Sequence, residues 1–464
     1  MFDDAAPLTD RLLAEGRAEP HRQESPAGDH GGLPNEADHY RVAQNYVDWI
    51  TASTGVSPVY AIGRLWVLKN GLWRPIDPEQ VPVEIGRRYG GMKFCQRGSE
   101  FIAIAKIAFG LVADNKFFAG APPGVAGPGG FWRVNEGGEV AFEPLNPEHR
   151  QRMRLAADPD FETEAPLFDR LLEGAFGRDE RGRAQTQLLQ VAFGGALARS
   201  LWRHRVAILL LGATTSGKST LLSVLKSLFP DDQVSATSPQ RWESEYYLAS
   251  LAGSAVNIVG ELDPGRPIPG GAFKQVLGGD VVEGRHPTHR PFSFVPQAAH
   301  FFNANRLPPT VDRSDAFFRR WRILHFPRPV ADDEIIVDLD QQIVEQEIGS
   351  VIAWMLEGAA YLARYSSVPE TIDHRQQLEK WRNANNSALQ FLTDGDACDL
   401  DPGAETSGGD LYHAYTKWAL DNGVKAFGRN GFYEAIDEGA GRLGVRRKDA
   451  RLGVAFSGVL VIRT

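Results

Sequence analysis

An α/β protein with a parallel sheet at its centre is predicted by three stretches of this 464-residue sequence. An apolar run at 206–211 leads into a glycine-framed turn at 212–219, "GATTSGKS". Two later apolar runs, "SAVNIVGELD" (254–263) and "AAHFFNANRLPP" (298–309), each end in polar residues. Helical patterns separate these runs, and strands alternating with helices favour a parallel sheet.

Composition bounds the rest. A chain of this length makes two to four domains of roughly 100–200 residues each. Its 42% hydrophobic and 23% charged residues are ordinary for a globular protein with real cores. A net charge of −9 writes no blanket affinity for nucleic acid into the chain, so any such surface must be local. Cys95 and Cys398 stand far apart without metal-type spacing, as in a reducing cytosol. The longest apolar runs fall well short of the ~20 residues a membrane helix needs, and no signal peptide opens the chain. A soluble cytoplasmic protein, with no membrane partner, is expected.

From the N-terminus, residues 1–39 are polar, carry Pro and Gly, and read as a flexible tail in which "LTDRLLAEG" offers a helical turn or two. "RVAQNYVDWI" (41–50) has helical spacing. "RLWVLKNGLWRPI" (64–76) sets Asn70-Gly71 between two apolar runs, a hairpin signal. Residues 117–147 read as short strands joined by Gly/Pro turns, so 40–178 is taken as an α+β accessory domain. A helix over 184–202 feeds the strand at 206–211, and 179–328 forms the α/β core. Residues 338–365 carry a 3.6-residue apolar stripe within a helical subdomain, 329–398. The stretch 394–410 reads as a linker. A terminal module at 405–464 runs from two short helices into a basic hairpin.

The turn at 212–219 fits G-x-x-x-x-G-K-[ST], the phosphate-binding loop. Its glycines let backbone amides face phosphate oxygens, and the following helix adds the positive end of its dipole. Lys218 is placed to reach the β- and γ-phosphates of ATP and Ser219 to hold Mg²⁺. Chance supplies on the order of 0.01 such matches in a chain of this composition. Glu261, ending its apolar run some forty residues on, can hold the metal's water or polarise the attacking one. Asn303 and Asn305 end the next run, where an amide can orient that water. Arg319 and Arg320 precede a further strand, placed as an arginine finger offered to a neighbour's triphosphate.

Taken in order, "GATTSGKST", "NIVGELD", "FKQVLGGD" (273–280), "FFNANRLPP" and "DRSDAFFRRW" resemble the motifs of superfamily 3 DNA helicases. The likeness is narrower to the phage/plasmid primase–helicase family of satellite-phage and poxvirus type. It covers about 200–330, and more weakly 40–178 and 405–464. It implies an AAA+-like P-loop ATPase core with a helicase-associated α+β N-terminal domain and a C-terminal winged helix. Gly212, Ala213, Thr214, Thr215, Ser216, Gly217, Lys218, Ser219 and Thr220 fall on the nucleotide loop. Glu261 falls on the acidic motif and Asn305 on the sensor. Lys274, Gly279 and Asp280 fall on the family's additional motif, and Arg319 or Arg320 on the finger. The chain departs from paired acids, with Gly260-Glu261-Leu262 in their place. Ser219 and water are then left to carry much of the magnesium binding, with Glu261 as metal ligand or water activator and Asp263 on the other face of the strand.

"VVEGRHPTHRPFSFV" (281–295) bunches Arg285, His286, His289 and Arg290 at the tip of a hairpin. In the resembling helicases such a hairpin grips one strand inside a six-membered ring, and forked cations suit backbone phosphates. Arg442, Arg446, Arg447, Lys448 and Arg451 crowd the terminal module, where the winged-helix likeness implies duplex contact. The 11 histidines show no ligand spacing with cysteine.

The resemblance therefore implies a replicative DNA helicase of a mobile element, an ATP hydrolase working as a homo-hexamer. Only about 180 residues precede the core, so no primase domain is expected, and a separate primase or polymerase is an implied partner. Another P-loop motor, for DNA packaging, protein remodelling or defence, is the alternative. A packaging motor would carry an acidic nuclease domain, and a remodeller has no need of basic hairpins.

Overall fold

The computed structural model describes residues 33–287, 291–450 and 453–462. The chain falls into two compact units. The first comprises Met1–Tyr60, Arg64–Val67 and Pro75–Ala113, and the second Ala61–Gly63, Leu68–Arg74 and Asp114–Thr464.

In the first unit, α1 (His39–Thr54) starts where the Asp38 side chain accepts from Arg41 N at 2.9 Å. That bond satisfies one of the orphan amides of the first turn. The helix buries Val42, Tyr46 and Ile50, the spacing expected from the sequence. Three strands follow, β1 (Val59–Ala61), β2 (Arg64–Lys69) and β3 (Leu72–Ile76), of which Ala61 and Leu68–Arg74 are assigned to the second unit. The chain reverses between β2 and β3 at Asn70-Gly71, with φ of +52° and +77°. Both central residues of a two-residue hairpin turn need positive φ, which is why Asn-Gly stands there. Helices α2 (Gln80–Tyr89) and α3 (Gly98–Leu111) complete the unit around Val67, Ile85, Tyr89 and Ile104.

The second unit begins with an antiparallel sheet of β4 (Gly124–Ala126), β5 (Phe131–Val134) and β6 (Val140–Glu143). Residues 114–178, expected in an accessory domain, lie within this larger unit. Val125, Val134 and Leu155 share a core with Ile208 and Leu210 of the central sheet. Helices α4 (Pro166–Phe176) and α5 (Glu180–Leu197) lead into β7 (Ala207–Gly212) and α6 (Lys218–Ser227). Next come β8 (Val234–Ser235), α7 (Glu245–Ala249), β9 (Val256–Val259) and α8 (Gly270–Gly278). The hairpin β10 (Val282–Gly284) and β11 (Phe292–Phe294) precedes β12 (Ala299–Ala304), α9 (Asp315–Phe318) and β13 (Trp321–Phe326).

The central sheet has the order β13-β7-β12-β9-β8, and every pair is parallel. Both faces are covered, which explains the unbroken apolar run of β7. Ile208 and Leu210 pack into one core, and Ala207, Leu209 and Leu211 into the other. On the first face, α5 crosses α11 (Ile348–Tyr365) at two glycines. A Cβ on Gly194 would stand 2.0 Å from Met355 O, and one on Gly358 2.0 Å from Gln190 O. Only bare backbone allows that approach.

After α10 (Leu339–Gln346) and α11 come α12 (Ile372–Ala384) and α13 (Ser387–Thr393). The expected linker at 394–410 instead holds β14 (Cys398–Asp399) and β15 (Glu405–Ser407). Its Gly, Asp and Pro content marks turns between these strands. The end of the chain supplies their partners, β17 (Gly453–Ser457) for β15 and β18 (Leu460–Val461) for β14. With α14 (Gly408–Asp421), α15 (Arg429–Gly439) and β16 (Arg446–Ala450), they enclose a core of Leu411, Tyr415, Phe432 and Phe456.

Candidate functional site

The glycine loop joins the carboxyl end of β7 to α6, and its shape follows from its residues. Gly212 packs so closely on β13 that an added Cβ would lie 2.3 Å from Phe326 O. Thr215 and Gly217 hold φ of +56° and +85°, the left-handed region. Ser216 Oγ donates to Ala213 O at 2.8 Å, and Val330 N donates to Thr215 O at 2.7 Å, tying the loop to the chain beyond β13. Lys218 is buried inside the turn. Its Nζ donates to Gly212 O at 2.8 Å, to Ala213 O, and to Ser216 Oγ at 3.1 Å. Burial lowers its pKa below the ordinary lysine value, and the Glu261 carboxylate opposes that shift. Ala213, Thr214, Thr215 and Ser219 are exposed, and Thr220 is half-buried.

Strand order brings the acid and the amide to this loop. The chain passes from β7 outward to β8, returns through β9 and β12, and then jumps across β7 to β13. Such a reversal opens a crevice at the carboxyl ends of the strands. Glu261 and Asn305, 44 positions apart, meet there, with Asn305 Nδ2 donating to Glu261 Oε1 at 3.0 Å. Leu262 N donates to Asn303 O at 2.8 Å, while Asn303 Oδ1 is buried without a partner among the described residues. β9 ends at Val259, so Glu261 and Asp263 stand in the loop beyond it. The two-face alternation expected for Asp263 therefore does not apply, and its carboxylate accepts from Gly265 N at 2.8 Å.

Two features of this end escaped the sequence reading. Gln240, 3% exposed, donates to Asp263 O at 2.7 Å and to Arg266 O, and accepts from Asp263 N at 3.1 Å. It fixes the loop that carries Glu261, on the wall of a 400 Å³ cavity with Arg241 and Arg266. A second cavity, about 590 Å³, opens on Thr215, Gly217 and Thr220. Leu171, Ile335 and Leu339 give it apolar walls, and its charged lining is mixed, Arg170, Arg178 and Arg328 against Glu173, Glu334, Asp338 and Asp340. The buried carboxylate of Glu347 holds two of its walls together, accepting from Leu167 N and Phe168 N at 2.9 Å each. That bond caps α4 from 180 positions away. The amphipathic stretch at 166–176 was the available signal for the wall.

The other candidates lie elsewhere. Arg319 and Arg320 precede β13 at the amino end of the sheet, where Trp321 stands opposite Ala207. Arg319 is exposed, whereas the half-buried Arg320 donates through Nη1 to Ala316 O. Burial lowers the Arg320 pKa, with the Arg319 and Arg205 charges adding to the shift. Lys274 is committed to Asp312 at 2.7 Å. The expected hairpin is present as β10 and β11, with Gly284 opposite Phe292. Arg285 Nη1 lies 3.5 Å from Glu245 Oε1, and the His286 ring stacks on Phe292. His289 and Arg290 lie outside the described residues, as do Arg451 and most of the expected tail. On β16, Arg446, Arg447 and Lys448 are all exposed. Arg447 pairs with Asp437 at 3.2 Å and Lys448 with Glu405 at 3.6 Å. Among the described residues no group of three or more His, Cys, Asp or Glu is gathered as for a metal.

Residues 210–320 match a family of unknown function, DUF5906. In overall backbone the chain is distantly similar to the NrS-1 C-terminal region. One apo structure of that region is 12% identical, with a TM-score of 0.48 over 92% of this chain and 100% of that one. Its A-form apo structure is 14% identical, with a TM-score of 0.47 over 86% and 82% of the two chains.

Proposed function

We propose that this chain is an ATP-dependent DNA helicase of superfamily 3 type, with an AAA+-like P-loop core that works between subunits of a ring. The observation that carries the reading is the pairing of Glu261 with Asn305 at 3.0 Å beside the glycine loop. A carboxylate and an amide at the carboxyl end of a parallel sheet suit the placing of a hydrolytic water. In this reading ATP lies on residues 212–220, with its base in the 590 Å³ cavity and Lys218 turned from its loop oxygens to the phosphates. Ser219, exposed in the first turn of α6, and Glu261 fit a hydrated Mg²⁺ ion, which would neutralise phosphate charge. Arg319 stands at the opposite end of the sheet from its own loop, as a finger for the neighbouring subunit of a homo-hexamer would.

The β10–β11 hairpin is the proposed single-strand contact. The terminal module runs helix α13, strands β14 and β15, helices α14 and α15, then strands β16, β17 and β18, an order that supports the winged-helix reading. Its α15 presents exposed Glu434, Asp437 and Glu438, so any duplex contact falls to the β16 wing rather than to that helix. A separate primase or polymerase remains the proposed partner. No helix among the described residues is long and apolar enough to cross a membrane.

Purified protein should hydrolyse ATP faster with DNA and separate a forked duplex, and Lys218→Ala should reduce both by roughly 10³-fold or more. ATP hydrolysis without strand separation in either polarity would instead support the alternative motors. DNA-stimulated hydrolysis that survives charge reversal at Arg285 would overturn the hairpin's role.

A further inference from the structure

A third cavity, of about 370 Å³, lies between α5, α12 and the end of β13, and shares no lining residue with the cavity on the glycine loop. Gln185 reaches it from α5. This side chain is 3% exposed, yet neither its Oε1 nor its Nε2 makes a hydrogen bond among the described residues. A buried amide left unmet costs about 1–3 kcal/mol. An apolar residue would fill the same place without that cost, and the neighbouring Leu188, Leu189 and Val191 of the helix are apolar. The amide is therefore available to something that enters the cavity.

The surroundings narrow what that is. Arg181 Nε lies 3.3 Å from Asp373 Oδ2, and its Nη2 3.3 Å from Gln376 Oε1, so the guanidinium on this wall is already engaged. His325 faces the same carboxylate at 4.0 Å. Burial lowers the His325 pKa against the pull of Asp373, so at neutral pH the ring is an uncharged donor and acceptor. Phe176 and Pro327 add flat apolar walls, and Lys380 stands exposed at the cavity. The lining thus offers amide and imidazole edges between flat surfaces, with the carboxylates of Asp179 and Asp373 beside them and the Lys380 charge outside. A glutamine amide presents a coplanar donor and acceptor, the pair that matches the N6 and N7 edge of adenine. The volume lies in the range of small-molecule pockets.

We infer that this cavity is a nucleobase site, separate from the glycine loop, in which Gln185 reads the edge of an adenine-type base. The base belongs either to a free nucleoside or nucleotide or to a residue of a single strand, and Lys380 suits the phosphate of either.

The test is calorimetric titration of the full chain with adenosine and, separately, with a short oligodeoxyadenylate. Wild type, Gln185→Leu and Lys218→Ala are compared. Gln185→Leu should weaken adenosine binding about tenfold or more, while Lys218→Ala leaves it unchanged. Loss of oligonucleotide affinity alone in Gln185→Leu would assign the base to a strand. Because the substitution removes an unmet amide, the thermal midpoint of the free variant should equal or exceed that of wild type. If wild type and Gln185→Leu bind both probes alike, or bind neither, the inference is overturned. Steady-state ATP hydrolysis by Gln185→Leu, expected at the wild-type rate because the two cavities share no lining residue, keeps that failure distinct from a failure of the ATPase reading.

Discussion

The two ends of the central sheet are built differently. At the carboxyl end, backbone stands in the left-handed region at Thr215 and Gly217, a lysine is buried in a turn, and the Asn303 Oδ1 atom has no partner among the described residues. At the amino end other groups are met, although Arg320 Nε and Trp321 Nε1 are buried without a hydrogen bond among the described residues and Arg205 holds a φ of +59°. Asn257 Nδ2 lies 3.3 Å from His300 Nδ1, and its Oδ1 accepts from Ser235 Oγ at 2.9 Å and Thr237 N at 2.8 Å. Trp321 stacks on Phe273 and meets Trp381 edge-on. Strain and unmet polar groups occur at both ends, but at the carboxyl end they sit on a glycine loop open to a ligand, and at the amino end beside a packed aromatic cluster. Arg319, also at the amino end, is a charge left in solvent.

That exposed charge gives the largest expected effect. Under the proposed function, Arg319→Ala should lower the rate of ATP hydrolysis by roughly 10³-fold without changing the thermal midpoint. Arg320→Ala should retain hydrolysis and lose stability, because its side chain is tied to Ala316 O of its own subunit. Steady-state rates and melting curves of both variants check the assignment, and the reverse pattern would exchange the two roles.

Next is Gly212→Ala at the carboxyl end. The added methyl meets Phe326 O, which belongs to a sheet strand and cannot swing aside. A loss of about 1–3 kcal/mol is expected, read as a lower urea midpoint. An unchanged midpoint would show that β13 yields and that this end is softer than its packing implies.

The buried histidines give a pH dependence of similar size. Burial holds His300 and His374 at pKa values of about 3, against about 6.5 in the unfolded chain. Above pH 6.5 both states are neutral and the two rings contribute no slope. Between pH 6.5 and 5 only the unfolded chain takes up their protons, so stability falls as pH falls. Each ring should cost about 2 kcal/mol over that interval. Urea midpoints at pH 7 and pH 5 measure the loss, and His374→Gln should remove one ring's share of it. The smallest effect belongs to Lys448→Ala. Its pairing with Glu405 is half-exposed on both sides and contributes less than about 1 kcal/mol.

Legibility followed distance along the chain. The loop at 212–220 was readable because its glycines, its lysine and the start of its helix are consecutive. The turn at Asn70-Gly71 was readable for the same reason. Gln240 was not, because its partners lie 23 and 26 positions away. Glu347 was not, because its carboxylate caps a helix 180 positions earlier. The basic tips were legible as charges but not as partners. Lys274, Arg285, Arg447 and Lys448 are each paired with an acid that no local pattern announces.

By itself the sequence determined that a strand, a glycine turn and a helix would follow one another at 206–227, since backbone angle and apolar periodicity are local properties. It also ordered Glu261, Asn305 and Arg319 along the chain. Only the tertiary structure decided that Glu261 and Asn305 touch while Arg319 faces away from them. Strand order within a sheet is set by packing between distant segments, and that order selects which strand ends share a crevice.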